Sequence, residues 1–176
     1  MSYLSRPQGP FRRMVVLGES TVEGGGWVAS PAERYADVLW KLLEHAQEQP
    51  LEYVNAGIGG SVISPRSPGY PESGKPSAAE RLDEQVIARA PDLLLIAHGL
   101  NDMRSGMRVT DFRRELEQLI DRVDAAINAA ICLVNVYYMP VFARFAPFDQ
   151  GSTEATRLYN RMLQDVADAR GLMYAD

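Results

Sequence analysis

Apolar residues follow two rhythms along this chain. Strand-length stretches, Val15-Val16-Leu17, Leu51 to Ala56, Leu93 to Ala97 and Ala130 to Tyr137, read as strands, and the continuous run Leu93-Leu94-Leu95-Ile96-Ala97 suits a strand covered on both faces. Between them the apolar positions recur every three or four residues. Tyr35, Val38, Leu39, Leu42, Leu43 and Ala46 form one such stripe, Leu82, Val86, Ile87 and Ala90 a second, and Phe112, Leu116, Leu119, Ile120, Val123 and Ile127 a third. Each stripe has a start signal. Ser30-Pro31-Ala32-Glu33 and Ser77-Ala78-Ala79-Glu80 are capping boxes, and Thr110 is placed to cap the third helix. A last helix is expected from Ser152 or Thr153 to Ala169, ended by Gly171, and Leu172 to Asp176 begins a fifth strand.

The pattern is strand and helix alternating four times, then the start of another strand. It predicts an α/β fold with a parallel sheet and helices on both faces. No linker or repeat divides the chain, so residues 1–176 read as a single domain, with 1–13 a polar N-terminal extension. An apolar fraction of 46% fits a globular chain, and 18 basic against 23 acidic residues leave a net charge of −5 with no basic stripe, which argues against nucleic acid as a partner. The single cysteine, Cys132, lies in an apolar run and reads as a core residue. Neither a signal peptide nor a membrane-length apolar run is visible, and the chain is expected to be cytoplasmic, with no membrane partner.

Open parallel sheets collect ligands at the carboxyl ends of their strands. Three strand ends here carry polar or glycine-rich turns: Gly18-Glu19-Ser20, Gly57 to Ser61, and Gly99 to Asp102. Taken alone, Ser20 is as well explained as a turn residue bonding its own backbone. Taken together, the three turns offer a nucleophile, Ser20, and two donors for a developing oxyanion, the Gly60 N–H and the Asn101 amide. Acyl transfer needs that set, because the tetrahedral intermediate places a full negative charge on one oxygen. Of the two histidines, His45 reads as a solvated last-turn residue and His98 as a ring packed and hydrogen-bonded at the end of the third strand. Asp102 reads as a turn-stabilising carboxylate. The proline-rich segment Ser61 to Pro76 has the length of a rim or lid. Phe142, Phe145 and Phe148 line an apolar substrate pocket or form a satellite core. No cofactor or metal is expected: Gly18 to Gly26 lacks the Ser/Thr-rich phosphate loop of a flavin site.

From Met14 onward the chain resembles the SGNH/GDSL hydrolase family. Gly18-Glu19-Ser20 matches its Gly-Asp-Ser block with Glu for Asp, Asn55 to Gly60 its second block, and Gly99-Leu100-Asn101-Asp102 its Gly-x-Asn-Asp block intact. The resemblance implies a flavodoxin-like three-layer α/β/α sandwich of about five strands in the order 2-1-3-4-5. It also implies Ser20 as nucleophile, with Gly60 and Asn101 as oxyanion donors. The implied activity is hydrolysis of a small acyl ester through an acyl-enzyme. The family's Asp-x-x-His block, which brings the general base, has no counterpart in the sequence. The base is therefore expected beyond residue 176, on a polypeptide that continues past Asp176. The alternative is a catalytically silent module on the same fold, binding an acylated or carbohydrate ligand. The expected partner is a small-molecule ester; nothing in the sequence speaks to oligomeric state.

Overall fold

The computed structural model describes residues 9–139 and 145–176. Five strands form one parallel sheet: β1 (Arg13–Gly18), β2 (Glu52–Gly57), β3 (Leu93–Ala97), β4 (Ala130–Val134) and β5 (Met173–Ala175). Their order across the sheet is β2-β1-β3-β4-β5, with Val16 level with Asn55 on one side and Leu95 on the other. This is the α/β arrangement and strand order expected.

Alternation along the strands builds two cores. Val15, Leu17, Leu94, Ile96, Ile131 and Leu133 face α4 (Ala78–Gln85), α6 (Val109–Ala126) and α7 (Thr153–Arg170). Met14, Val16, Leu93, Leu95 and Ala130 face α2 (Tyr35–Gln47), whose Leu39, Trp40 and Leu43 pack on them. Residues of β1 and β3 are buried on both faces, which is why these strands read as unbroken apolar runs. Phe112, Leu116, Leu119, Ile120 and Val123 of α6 are at most 1% exposed. Burying each such side chain contributes about 1.5–3 kcal/mol relative to leaving it in water.

The cap signals hold in part. Ser77 donates to Glu80 Oε2 from both its N–H and its hydroxyl, each at 2.8 Å, at the start of α4. Ser152 accepts from the Ala155 N–H at 3.0 Å to open α7, and Gly171 closes it with φ of +60°. The other two start signals are corrected. Pro31–Glu33 is only a 3-10 turn, because Arg34 takes an extended backbone (φ −66°, ψ 134°) and α2 begins at Tyr35. In α6 the cap is Arg108, whose carbonyl accepts from Asp111 and Phe112 at 3.0 Å, so Thr110 lies inside the first turn.

The segment from Ser61 to Pro76 begins packed into the body, with Ser61 to Ser64 buried, and ends on the surface, where Pro71, Glu72 and Gly74 to Pro76 are exposed. Val62, Ile63 and Ser61 are wholly buried, and a short helix, α3 (Tyr70–Ser73), lies within it. Of the three phenylalanines, Phe142 lies outside the described residues. Phe145 and Phe148 meet at 5.8 Å between ring centroids beneath the Arg104 guanidinium, with Phe148 buried against Gly69. Cys132 is half-buried, and its burial pushes the thiol up to about 11.

Candidate active site

Ser20 opens a one-turn helix, α1 (Ser20–Glu23), directly after β1. The turn is tight: a Cβ on Gly18 would lie 2.2 Å from Val22 Cγ2, and one on Gly57 would lie 2.2 Å from the Glu23 backbone nitrogen. Side chains at either position would push the helix off the strand ends. Ser20 is half-buried, and its hydroxyl makes no hydrogen bond with any described residue.

Three turns at the carboxyl edge of the sheet are joined pairwise. The Glu19 carboxylate reaches from the β1 turn to the start of α5 (Leu100–Arg104), where Gly99, Leu100 and Asn101 donate their backbone N–H groups at 3.0, 3.0 and 3.1 Å. At a helix start these donors have no partner within the helix, and the Glu19 oxygens supply one. The Asn101 side-chain amide in turn donates to the Ser61 carbonyl at 3.0 Å, joining the β3 turn to the β2 turn. Glu23 of α1 closes the set by accepting the Gly59 N–H at 2.9 Å, and a Cβ on Gly59 would sit 3.7 Å from Ser20 Cβ. Gly60 has φ of +79°, a conformation that glycine adopts freely, and its carbonyl accepts from the Ser73 hydroxyl at 2.8 Å. The Asn101 amide has two hydrogens, so the bond to Ser61 leaves one.

Beneath these turns lies a residue that the sequence reading passed over. Arg81 on α4 is 4% exposed, and its guanidinium donates to the Ala56 carbonyl, to the Gly18 carbonyl at 2.6 Å and to the Ser61 hydroxyl at 3.5 Å. It thereby holds the ends of β1 and β2 at once. It also faces His98 Nε2 at 3.2 Å. His98 is 3% exposed at the end of β3, as its position suggested. Burial, and secondarily the Arg81 charge, hold the His98 ring well below the usual imidazole range, so it is neutral. His45 is exposed in the last turn of α2.

Two buried carboxyls complete the electrostatics. Burial pushes Glu19 up to about 8, the nearby Asp102 adding to the rise while the three backbone donors oppose it. Asp102 is wholly buried, accepts the Ile63 N–H at 3.1 Å, and is raised by burial to about 7. It stabilises the junction between the β3 turn and the Ser61 segment. Burial lowers Arg81 to about 10, the Glu19 charge opposing. Among the described residues no group of three His, Cys, Asp or Glu could hold a metal ion. None of their helices is long and apolar enough to cross a membrane. Beside the Glu19 turn a cavity of about 510 Å³ opens, walled by Trp27, Tyr35, Leu100, Val136 and Tyr137, with His98 and Arg34 also on its lining.

Residues 16–176 match the model of the GDSL-like lipase/acylhydrolase family, and the chain belongs to that family. No curated protein sequence matches it. Among solved structures it is similar to the acetylxylan esterase Axe2 from Geobacillus stearothermophilus, with a TM-score of 0.68 and 19% identity over 94% of this chain and 75% of that one. It is also similar to the psychrotrophic esterase EstA from Pseudoalteromonas sp., with a TM-score of 0.67 and 19% identity over 93% and 75%. TesA aligns with a TM-score of 0.68 and 18% identity over 93% and 77%. At such identities these likenesses concern the fold.

Proposed function

We propose that the protein is a serine hydrolase that cleaves a small acyl ester through an acyl-enzyme. The observation that carries this reading is the closed set of contacts among the three turns. Glu19 holds the Asn101 backbone, the Asn101 amide holds the Ser61 carbonyl, and Gly59 lies against Ser20. In this reading Ser20 Oγ attacks the ester carbonyl, and the oxyanion is held by the Gly60 N–H and the remaining Asn101 amide hydrogen. The alkoxide of the alcohol leaves with a proton, and water then releases the acid from Ser20. Each oxyanion donor is worth about 3–4 kcal/mol of transition-state stabilisation in comparable sites.

Ser20 needs a base to be nucleophilic at neutral pH. His98 faces Arg81 and His45 is exposed on the last turn of α2, so the activating imidazole belongs, in this proposal, to neither of them. The test is hydrolysis of an activated acetate ester by the 176-residue protein, with and without free imidazole, each rate corrected by that of Ser20→Ala. Slow Ser20-dependent turnover that rises with imidazole supports the reading. Parent and Ser20→Ala proteins that are equally reactive in all conditions overturn it.

A further inference from the structure

The cavity beside the Glu19 turn has an imbalance in its polar lining. Some of its polar groups are engaged: both Glu19 oxygens receive backbone N–H groups, and Glu33 Oε2 receives the Ala29 N–H at 3.2 Å. Asn135 is tied to Asp176 by its own amide at 2.6 Å. Two donors on lining residues are not engaged. The Arg81 guanidinium can only donate, so His98 Nε2 accepts from it and the ring proton resides on Nδ1. That Nδ1 is buried with no partner among the described residues. Arg34 Nε is likewise buried and unpartnered, and Arg34 forms no ion pair with a described residue. Buried polar groups in folded proteins are nearly always paired, so two orphaned donors on residues of one cavity lining point to an acceptor that the described residues do not supply.

The remaining wall is apolar. Trp27 is 65% exposed and Tyr137 42% exposed, large rings left to water at a concave site. At about 510 Å³ the cavity has the capacity of a small-molecule site. We propose that it binds a small carboxylate with an apolar ring or chain, the carboxylate paired with Arg34 and hydrogen-bonded within the donor-rich wall, the apolar body against Trp27 and Tyr137. As a specificity pocket, favouring esters whose acyl or alcohol part ends in a carboxylate, this rests on the hydrolase reading above. As a binding site it does not.

The experiment is calorimetric titration of the 176-residue protein with phenylacetate and with its neutral twin, phenylacetamide. Phenylacetate should bind at least about tenfold more tightly, a difference of one charge-assisted contact. Arg34→Gln should bring the two affinities together, and Trp27→Ala should weaken both. Melting temperatures of the variants guard against misfolding, since neither side chain is bonded into the core. Ser20→Ala should bind phenylacetate as the parent does, whatever becomes of hydrolysis, which separates failure of this proposal from failure of the hydrolase reading. Equal affinities for the two probes in the parent, a preference that survives in Arg34→Gln, or no binding of phenylacetate would each overturn it.

Discussion

The Asn101 backbone N–H donates to the Glu19 carboxylate at 3.1 Å across 82 residues of sequence. That bond and its two neighbours make one carboxylate the cap of α5, although the helix has no capping side chain of its own. Glutamate is long enough to reach all three donors from the β1 turn. The residue that follows Glu19 is Ser20, and the donor it fixes belongs to Asn101, so the cap couples the positions of both.

Because Glu19 and Asp102 are buried, folding should depend on pH in a particular direction. Both carboxyls rise on folding, from 4.5 to about 8 and from 3.8 to about 7, so between those values the native state holds protons that the unfolded state has released. Their contribution is complete below about pH 4 and is lost as pH rises through 7 and 8. Urea unfolding should show stability falling over that window, by at most about 1.4 kcal/mol per pH unit for each group. Glu19→Gln should remove its share of the slope. A profile that is flat from pH 5 to 8 would mean that both carboxyls are ionised in the folded protein.

Replacement of Asn101 should register twice. Its amide is 5% exposed and holds the Ser61 carbonyl, so Asn101→Ala leaves a buried acceptor unpaired and costs about 1–3 kcal/mol in stability. Loss of an oxyanion donor should in addition lower kcat on the order of 10²-fold or more in the base-supplied reaction, with a smaller change in KM. Chemical denaturation and steady-state kinetics on the same preparation separate the two effects. A stability loss with unchanged kcat would make Asn101 a turn residue alone.

Much of this was legible in the sequence, for reasons that differ between elements. The run Leu93 to Ala97 could be placed because a strand buried on both faces leaves no polar position. The Ser77–Glu80 box was readable because both partners lie within one helical turn. Ser30–Glu33 has the same spelling and yields only a 3-10 turn, since Arg34 goes extended, its side chain lying over Gly24. Nothing within four residues encodes that contact. Ser20, Gly60 and Asn101 could be proposed because each follows shortly after the end of a strand, but the links among them, through Glu19, Glu23 and Ser61, are long-range. Arg81 left one unread signal. It stands three residues after Ala78 and next to Leu82, on the buried stripe of α4, where a solvated charge does not belong.

Two glycines near Ser20 should respond to alanine with losses of very different size. At Gly60 the nearest atom to an added Cβ is Lys75 Cγ at 4.0 Å, so the cost is confined to the positive φ, about 1–2 kcal/mol. At Gly57 a Cβ would lie 2.2 Å from the Glu23 nitrogen and 2.7 Å from the Val22 carbonyl carbon, both backbone atoms that cannot rotate away. Gly57→Ala should therefore displace α1 and lose far more stability than Gly60→Ala in the same denaturation assay. Similar losses at the two sites would show that α1 does not lie as close to β2 as described.

Arg81 should prove to be the side chain on which the turn geometry depends most. Its guanidinium supplies donors to the Gly18 and Ala56 carbonyls, which end adjacent strands, and to the Ser61 hydroxyl. Arg81→Met fills much of the same volume but leaves those acceptors facing an apolar chain. Each buried acceptor left unmade costs about 1–3 kcal/mol, so the variant should lose several kcal/mol in urea unfolding. Arg81→Lys keeps the charge but has a single nitrogen, which cannot span two carbonyls as a planar fork does, and should recover only part of the loss. The same fork fixes the His98 tautomer, so nitrogen NMR of the His98 ring should report a proton on Nδ1 in the parent and a changed tautomer balance in Arg81→Met. Loss of stability without any change at His98 would separate the two roles. A variant within about 1 kcal/mol of the parent would show that the strand ends hold their positions without the clasp.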